Sequence, residues 1–193
     1  MKAVMIGTRA VGPGHPCYVI AEAGSNHNRN LDEGKRLIDM SAEAGCDAVK
    51  FQTYSAETLY STRTPRLKQM EGRDDPTHTP FSLIKSLELP REWQPILAKH
   101  AQKRGIVFLS SPFDLKAVDE LEACGVPAYK VASFEIVDTV LLAHIARKKK
   151  PIILSTGNSG LSDIEVALGV IEREGDPGVV ILHCVSSYPA VHE

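Results

Sequence analysis

A chain of 193 residues in which 43% of the side chains are apolar can bury a sizeable core, which excludes disordered, collagen-like and low-complexity proteins. Its 22 Lys and Arg nearly cancel its 24 Asp and Glu, and neither sign gathers into a long block, so the charge pattern suits neither a nucleic acid nor an anionic membrane. The N-terminus stops being apolar too soon for a signal peptide, and nowhere do ~18 uncharged apolar residues run together, so a soluble cytoplasmic protein is expected.

Val4-Met5-Ile6 and Ala10-Val11 flank an expected hairpin within residues 1–14. Apolar runs of strand length then recur at 18–23, 48–51, 106–109, 128–131, 152–154 and 179–184, with helical periodicity between most of them. Runs apolar on both faces suit parallel strands covered by helices, because such strands have no watery side. Helix starts follow from side-chain oxygens able to satisfy orphan backbone N–H groups. Asn30-Leu31-Asp32-Glu33 predicts a helix ending near Gly45, and Ser162-Asp163-Ile164-Glu165 predicts one with Ile164, Ala167, Leu168 and Ile171 on one face. Pro90, Asp114 and Asp138 open the others. After Pro90, the spacing of Trp93, Ile96, Leu97, His100 and Ala101 predicts a stripe packed on the core.

Between Phe51 and Pro90 the alternation stops, and the breakers Thr64-Pro65 and 74–80 predict a long loop, either a lid over a binding site or a partly disordered stretch. Lys148-Lys149-Lys150 closes a helical segment before Pro151, where cations favour the helix C-terminus. The four cysteines, Cys17, Cys46, Cys124 and Cys184, lie in apolar segments with no Cys-x-x-Cys pair, and read as buried thiols rather than metal or redox groups. Six β/α units fit either a (β/α)8 barrel, short by two strands, or a doubly wound open sheet.

In either architecture the chemistry stands at the C-terminal ends of the strands, and those ends are unusually polar here. Lys50 and Lys130 interrupt apolar strands, and an ammonium buried without a partner is costly, so both should face an anion in one common pocket. With Ser111, Ser133 and Ser155 from neighbouring strands they suggest a cradle for a phosphate and a carboxylate. Internal salt bridges to Glu22 and Glu135 are the competing account of the lysines. Ser155-Thr156-Gly157-Asn158-Ser159-Gly160, between a strand and a helix, either presents backbone N–H groups to a phosphate or makes a tight turn. Glu22 and Glu135 are the carboxylates available for acid/base work.

These strand ends match a family. Ile20-Ala21-Glu22-Ala23-Gly24-Ser25-Asn26-His27, Val49-Lys50-Phe51-Gln52-Thr53, Ser111-Pro112-Phe113, Pro127-Ala128-Tyr129-Lys130, Ile153-Leu154-Ser155-Thr156-Gly157, and Leu182-His183-Cys184 with Tyr188-Pro189, resemble the sialic acid synthases from about residue 15 onward. The resemblance implies a (β/α)8 TIM barrel, and the hairpin expected before the first strand is read as a plug under the barrel floor. It implies condensation of phosphoenolpyruvate with an N-acyl mannosamine-type hexosamine to give a nonulosonic acid and phosphate. Legionaminate or pseudaminate synthesis, or a non-catalytic truncated remnant, are the alternatives. The related 3-deoxy-octulosonate 8-phosphate and 3-deoxy-heptulosonate 7-phosphate synthases are disfavoured by the string from Glu22 to His27.

By the same resemblance, Lys50, Ser111, Lys130, Ser133 and Ser155 hold phosphoenolpyruvate, with Ser186 where some relatives carry asparagine. Gln52 and Tyr188 face the sugar, Glu22 handles a proton, and Glu135 supports the cationic centre. A divalent metal, usually manganese, activates the sugar aldehyde in such enzymes. Its two histidines belong to later Ser-Asp-His and Glu-Arg-His motifs, absent from residues 1–193 together with the small antifreeze-like domain. His27, His183 and His192 have no paired spacing and are not expected to replace them. The chain therefore reads as six of eight units of a synthase that is a homodimer when intact, with no turnover expected from the six units alone.

Overall fold

The computed structural model describes residues 3–66 and 79–187. β1 (Val4–Ile6) and β2 (Arg9–Val11) form an antiparallel hairpin. Six parallel strands follow: β3 (Ile20–Gly24), β4 (Ala48–Thr53), β5 (Val107–Pro112), β6 (Tyr129–Val131), β7 (Ile152–Ser155) and β8 (Val179–Leu182). β3, β4 and β5 are hydrogen-bonded in one sheet and β6, β7 and β8 in another, with β5 alongside β6. Each strand therefore lies beside the next one in sequence. A doubly wound sheet reverses its strand order at one point, whereas this succession runs one way, as the wall of a (β/α) barrel does. The described residues make six strands of such a wall and do not close it.

The strands are apolar on both faces because each face meets a different layer. Outward-pointing Val49, Phe51, Phe108, Tyr129, Val131, Ile152 and Leu154 share a core with Ile38, Leu97, Leu121, Leu142, Ile145 and Ile171 of the helices. Their inward-pointing neighbours Ala48, Leu109, Ala128 and Ile153 form a second cluster with Ile6 of the hairpin, and Val11, Tyr18, Ile20, Val180 and Leu182 pack against it. The hairpin thus covers the N-terminal part of the inner face, held also by the Arg9 guanidinium, which pairs with Asp47 and lies over the Tyr18 ring.

The helices begin where their caps direct. Asn30 Oδ1 accepts from the backbone N–H groups of Asp32 and Glu33 to open α1 (Leu31–Glu43). Two one-turn or two-turn elements follow β4, α2 (Ala56–Leu59) and α3 (Pro80–Leu87), and then α4 (Gln94–Lys103), entered through a 3-10 turn at Arg91–Trp93. Asp114 caps α5 (Leu115–Ala123) and Asp138 caps α6 (Thr139–Ala146). α7 (Leu161–Arg173) corrects the expected start at Ser162: Gly160 is the N-cap, and Asp163 Oδ2 accepts its N–H at 2.8 Å. The box was legible and its register was not, because Asp163 competes with Glu165 for the position three residues inside the helix.

Other expectations need correction. The stretch after Phe51 is not one uninterrupted loop, since α2 and α3 lie within it, joined where Glu88 Oε1 accepts the Ala56 N–H at 2.6 Å and Lys85 Nζ meets Glu57 at 2.8 Å. Elements this short carry no readable stripe. Residues 67–78 of that stretch lie outside the described residues. Cys17 is exposed rather than buried. In α4 only Leu97 and Ala101 of the expected stripe are fully buried; Trp93 packs at the core's edge, Ile96 is exposed, and His100 pairs with Asp39 at 2.8 Å. The lysine run lies beyond Ala146, with Lys148 paired to Asp119 at 2.6 Å and Lys150 to Glu122 at 2.8 Å.

Two residues of α6 test this layering. Leu142 is fully enclosed and Val140 is exposed. Urea denaturation should show Leu142→Ala costing about 2–5 kcal/mol, because its cavity cannot collapse, and Val140→Ala costing no more than about 0.5 kcal/mol, as surface substitutions do.

Candidate anion site at the C-terminal ends of the strands

The two-residue period that builds the inner core also builds the site. One step beyond the inward layer of Ile20, Ala48, Leu109, Ala128 and Ile153 come Glu22, Lys50, Ser111, Lys130 and Ser155, on the same face and nearer the C-terminal ends. Lys50 (8% exposed), Lys130 (7%), Ser111 (2%) and Ser155 (6%) are all buried. Phase alone thus places five side chains singled out from the sequence on one inner rim.

Glu22 and Lys50 are register partners across β3 and β4, and their carboxylate and ammonium form an ion pair. Just beyond, the ladder is irregular between Glu22 and Gly24, and Gly24 takes φ +53°. This kink brings Glu22 Oε1, Gln52 Nε2 and Asn26 Nδ2 within 3.3, 3.7 and 3.9 Å of where a Cβ on Gly24 would stand. Gln52 is the register partner of Ser111 on β5, so the carboxylate, the amides and that hydroxyl occupy one side of the rim.

Lys130 stands opposite in character. Its Nζ donates to the Val131 carbonyl at 2.8 Å. Burial first, and then the positive charge of Lys50, push its pKa down to about 8, against the opposing pull of Cys184, Glu22 and Glu135. The two ammoniums therefore feel each other, as a common pocket requires. The competing salt-bridge account holds for Lys50 with Glu22. Glu135 acts on Lys130 only through its field, and its Oε2 is buried without a hydrogen-bond partner among the described residues. Burial raises the pKa of Glu135, partly offset by its own backbone N–H and by Lys130.

The loops after β6, β7 and β8 supply hydroxyls. Ser133 Oγ accepts the Gly157 N–H at 3.1 Å, and Ser155 Oγ accepts from the Cys184 thiol at 3.3 Å. Ser186 Oγ rests against Gly157. Cys184, expected as a buried thiol, is only partly buried and stands at this rim. Burial raises its pKa, but the contact with Ser155, the N–H groups of Thr156 and Gly157, and the Lys130 charge together bring it below the usual thiol value. Its place next to the strand-end serines was the available signal. Tyr188, expected to face the sugar, lies outside the described residues, as does His192.

Among the described residues no group of three His, Cys, Asp or Glu side chains is placed to hold a metal ion. His27 is enclosed, its Nδ1 accepting from the Arg29 N–H at 3.1 Å and its ring edge-on to Trp93, whereas His183 is exposed after β8. These residues do not fit the expected metal, and no step below passes through one. Concavities of about 870 and 710 Å³ lie around the hairpin with β8 and at the start of β5 with Pro127, at the opposite ends of the strands. Neither is lined by a buried charged side chain such as Lys50 or Lys130, so chemistry selects the lysine rim.

A parallel wall wound in one direction, with two buried cations and a set of hydroxyls at its C-terminal rim, defines a barrel-type α/β protein with a candidate anion site. The chain belongs to the NeuB family, whose model matches residues 37–193. It is 39% identical over its whole length to the spore coat polysaccharide biosynthesis protein SpsE of Bacillus subtilis, and superimposes on that protein's crystal structure with a TM-score of 0.80, covering 98% of this chain and 49% of that one. It is 36% identical to an N,N'-diacetyllegionaminic acid synthase of Legionella pneumophila over 97% of this chain and 54% of that protein. A citrate-bound N-acetylneuraminic acid synthetase of Leptospira borgpetersenii matches with a TM-score of 0.85 and 32% identity, over 98% of this chain and 61% of that one. The chain spans about half the length of the curated relatives it matches. No helix among the described residues is long and apolar enough to cross a membrane.

The depressed lysine makes a pH signature. Lys130 sheds its proton near pH 8 in the folded protein and near 10.5 when unfolded, so between these values the unfolded chain holds the extra proton. Stability should rise with pH across that window. Comparing urea midpoints against pH for the protein and for Lys130→Met should show that this component disappears in the variant.

Proposed function

We propose that this chain supplies the phosphoenolpyruvate-binding rim of a synthase that joins phosphoenolpyruvate to an N-acyl mannosamine-type sugar, giving a nonulosonic acid and phosphate. The observation that carries it is the pair of buried ammoniums, Lys50 and Lys130, close enough to repel and only partly neutralised by protein carboxylates. Such a pair is best offset by a ligand bearing more than one negative charge. Phosphoenolpyruvate carries a carboxylate and a phosphate on one small frame. The lysines would neutralise them, while Ser111, Ser133, Ser155 and Ser186 donate hydrogen bonds that cost no further charge.

The chemistry then follows from the ligand. C3 of the enol attacks the open-chain aldehyde carbon, forming the C–C bond while the aldehyde oxygen takes up a proton. Positive charge develops at C2, water adds there, and C–O cleavage expels phosphate. Glu22, half-exposed beside Lys50, is the proposed group that moves the proton of that water or of the sugar hydroxyl. Glu135 lies in the field of Lys130 and adds negative potential near the cationic carbon. Gln52 and Tyr188 are the proposed sugar contacts, and a homodimer is the proposed assembly. By resemblance alone the reaction depends on a divalent metal such as manganese.

Phosphate release from phosphoenolpyruvate by the intact synthase of which this rim is part tests this, with an N-acylmannosamine present or absent and with chelator or manganese. Release should require both acceptor and metal, and Lys50→Met or Lys130→Met should lower kcat/KM by about 10²-fold or more, as loss of one placed electrostatic group does. A preference for arabinose 5-phosphate would overturn the reading. The likeness to the Legionella pneumophila enzyme favours including an N,N'-diacetylated hexosamine, whose preference would make the product legionaminate-type. Pseudaminate-type acceptors belong in the same panel. Phosphoenolpyruvate binding by the intact synthase without turnover on any acceptor would leave the non-catalytic remnant as the reading.

A further inference from the structure

We propose that Gly157 is a positioning residue of the anion site, the point at which two hydroxyls from different strands are allowed to converge; the proposal rests on the phosphoenolpyruvate reading above. Gly157 follows β7 in the loop that enters α7, and it is buried. Its φ lies outside the left-handed region, so backbone conformation does not call for glycine there. Space does. A Cβ at this position would overlap Ser186 Oγ, stand 2.9 Å from Ser133 Oγ and 3.4 Å from Cys184 Cβ. Ser133 comes from the loop after β6, and Ser186 and Cys184 from the segment after β8, so groups from both flanking strands close over one Cα.

The loop is fixed where this happens. Thr156 donates to the Leu182 carbonyl through its N–H at 3.2 Å and its Oγ1 at 2.9 Å, tying the loop to β8. The Gly157 N–H donates to Ser133 Oγ at 3.1 Å, which orients that hydroxyl, leaving its proton free to point at an anion. With the loop pinned on both sides, an added methyl cannot be absorbed by backbone movement alone; the two serines must part. Gly160, three residues on, is the natural contrast. It is exposed, has φ −83°, and a Cβ there would meet only Asp163 Oδ2 and Ser162 Oγ, at an ordinary 3.7 Å.

Titration calorimetry with phosphoenolpyruvate and with inorganic phosphate on the protein, Gly157→Ala, Gly160→Ala, Ser186→Ala and Gly157→Ala/Ser186→Ala tests this. Gly157→Ala should weaken phosphoenolpyruvate binding by about tenfold or more, the scale of an overpacked site. In turnover by the intact synthase it should raise KM for phosphoenolpyruvate and leave KM for the sugar unchanged. Gly160→Ala should stay within about twofold of the unaltered protein, since its added methyl meets open contacts. In the Ser186→Ala background, which removes the nearest atom, Gly157→Ala should cost less than it does alone, the shortfall that marks direct contact. Equal binding by Gly157→Ala, an equal loss in Gly160→Ala, or strict additivity with Ser186→Ala would each overturn the proposal. If the unaltered protein binds neither ligand, the proposed function fails, and the convergence is judged from melting temperatures of the same proteins: a shortfall in the double variant supports it and additivity overturns it.

Discussion

Two like charges held in one apolar-walled place are the constraint on which the rest of this structure depends. An ammonium removed from water is costly, and a second one nearby adds repulsion. The chain meets this in unequal ways. Lys50 has a carboxylate, Glu22, directly across the ladder, while Lys130 has a backbone carbonyl and the more distant fields of Glu22 and Glu135. Burial first, and then the Lys50 charge, drive the pKa of Lys130 down to about 8. A pocket built this way is under-neutralised, which is what the proposed anionic ligand would relieve.

The scaffold has to be rigid for that arrangement to persist. Parallel pairing in sequential order sends every strand's C-terminal end to the same rim, and the helices returning on the outside bury Phe51, Phe108, Tyr129 and Leu154 against Ile38, Leu121 and Leu142. Below the lysines the inner face is filled by Ala48, Leu109, Ala128 and Ile153, with Ile6 of the hairpin beneath. The charged layer therefore stands on a packed apolar one. An outward residue such as Val49 or Tyr129 separates each rim lysine from the inward apolar residue before it, so a one-residue slip in register would send a lysine into the helical layer.

Local irregularities aim what the strands deliver. The kink at Gly24 turns Glu22, Gln52 and Asn26 toward one another, and Gly157 leaves the space in which Ser133 and Ser186 meet. One glycine is required by its backbone conformation and the other by its neighbours. Cys184, between Ser155 and Gly157, joins the second group through a contact that changes its acidity.

The sequence by itself determined a good deal of this. Alternating apolar runs and helical stripes specified six strands of a parallel α/β protein, since a run apolar on both faces has no other stable setting. Asn30, Asp114 and Asp138 marked helix starts, because capping is a local reaction between a side chain and the next turn. Lys50 and Lys130 pointed to one common pocket, because a cation inside an apolar strand is tolerated only where negative charge comes to meet it, and both are buried where their charges interact. What only the tertiary structure decided was distance between segments. That Glu22 pairs with Lys50, that Lys130 feels Lys50, and that Ser133, Cys184 and Ser186 meet at Gly157 depend on registers and loop paths set by contacts far apart in the chain. The same holds for the start of α7 at Gly160 and for α2 and α3 after β4, where the local signals were ambiguous or too short, and packing chose among them.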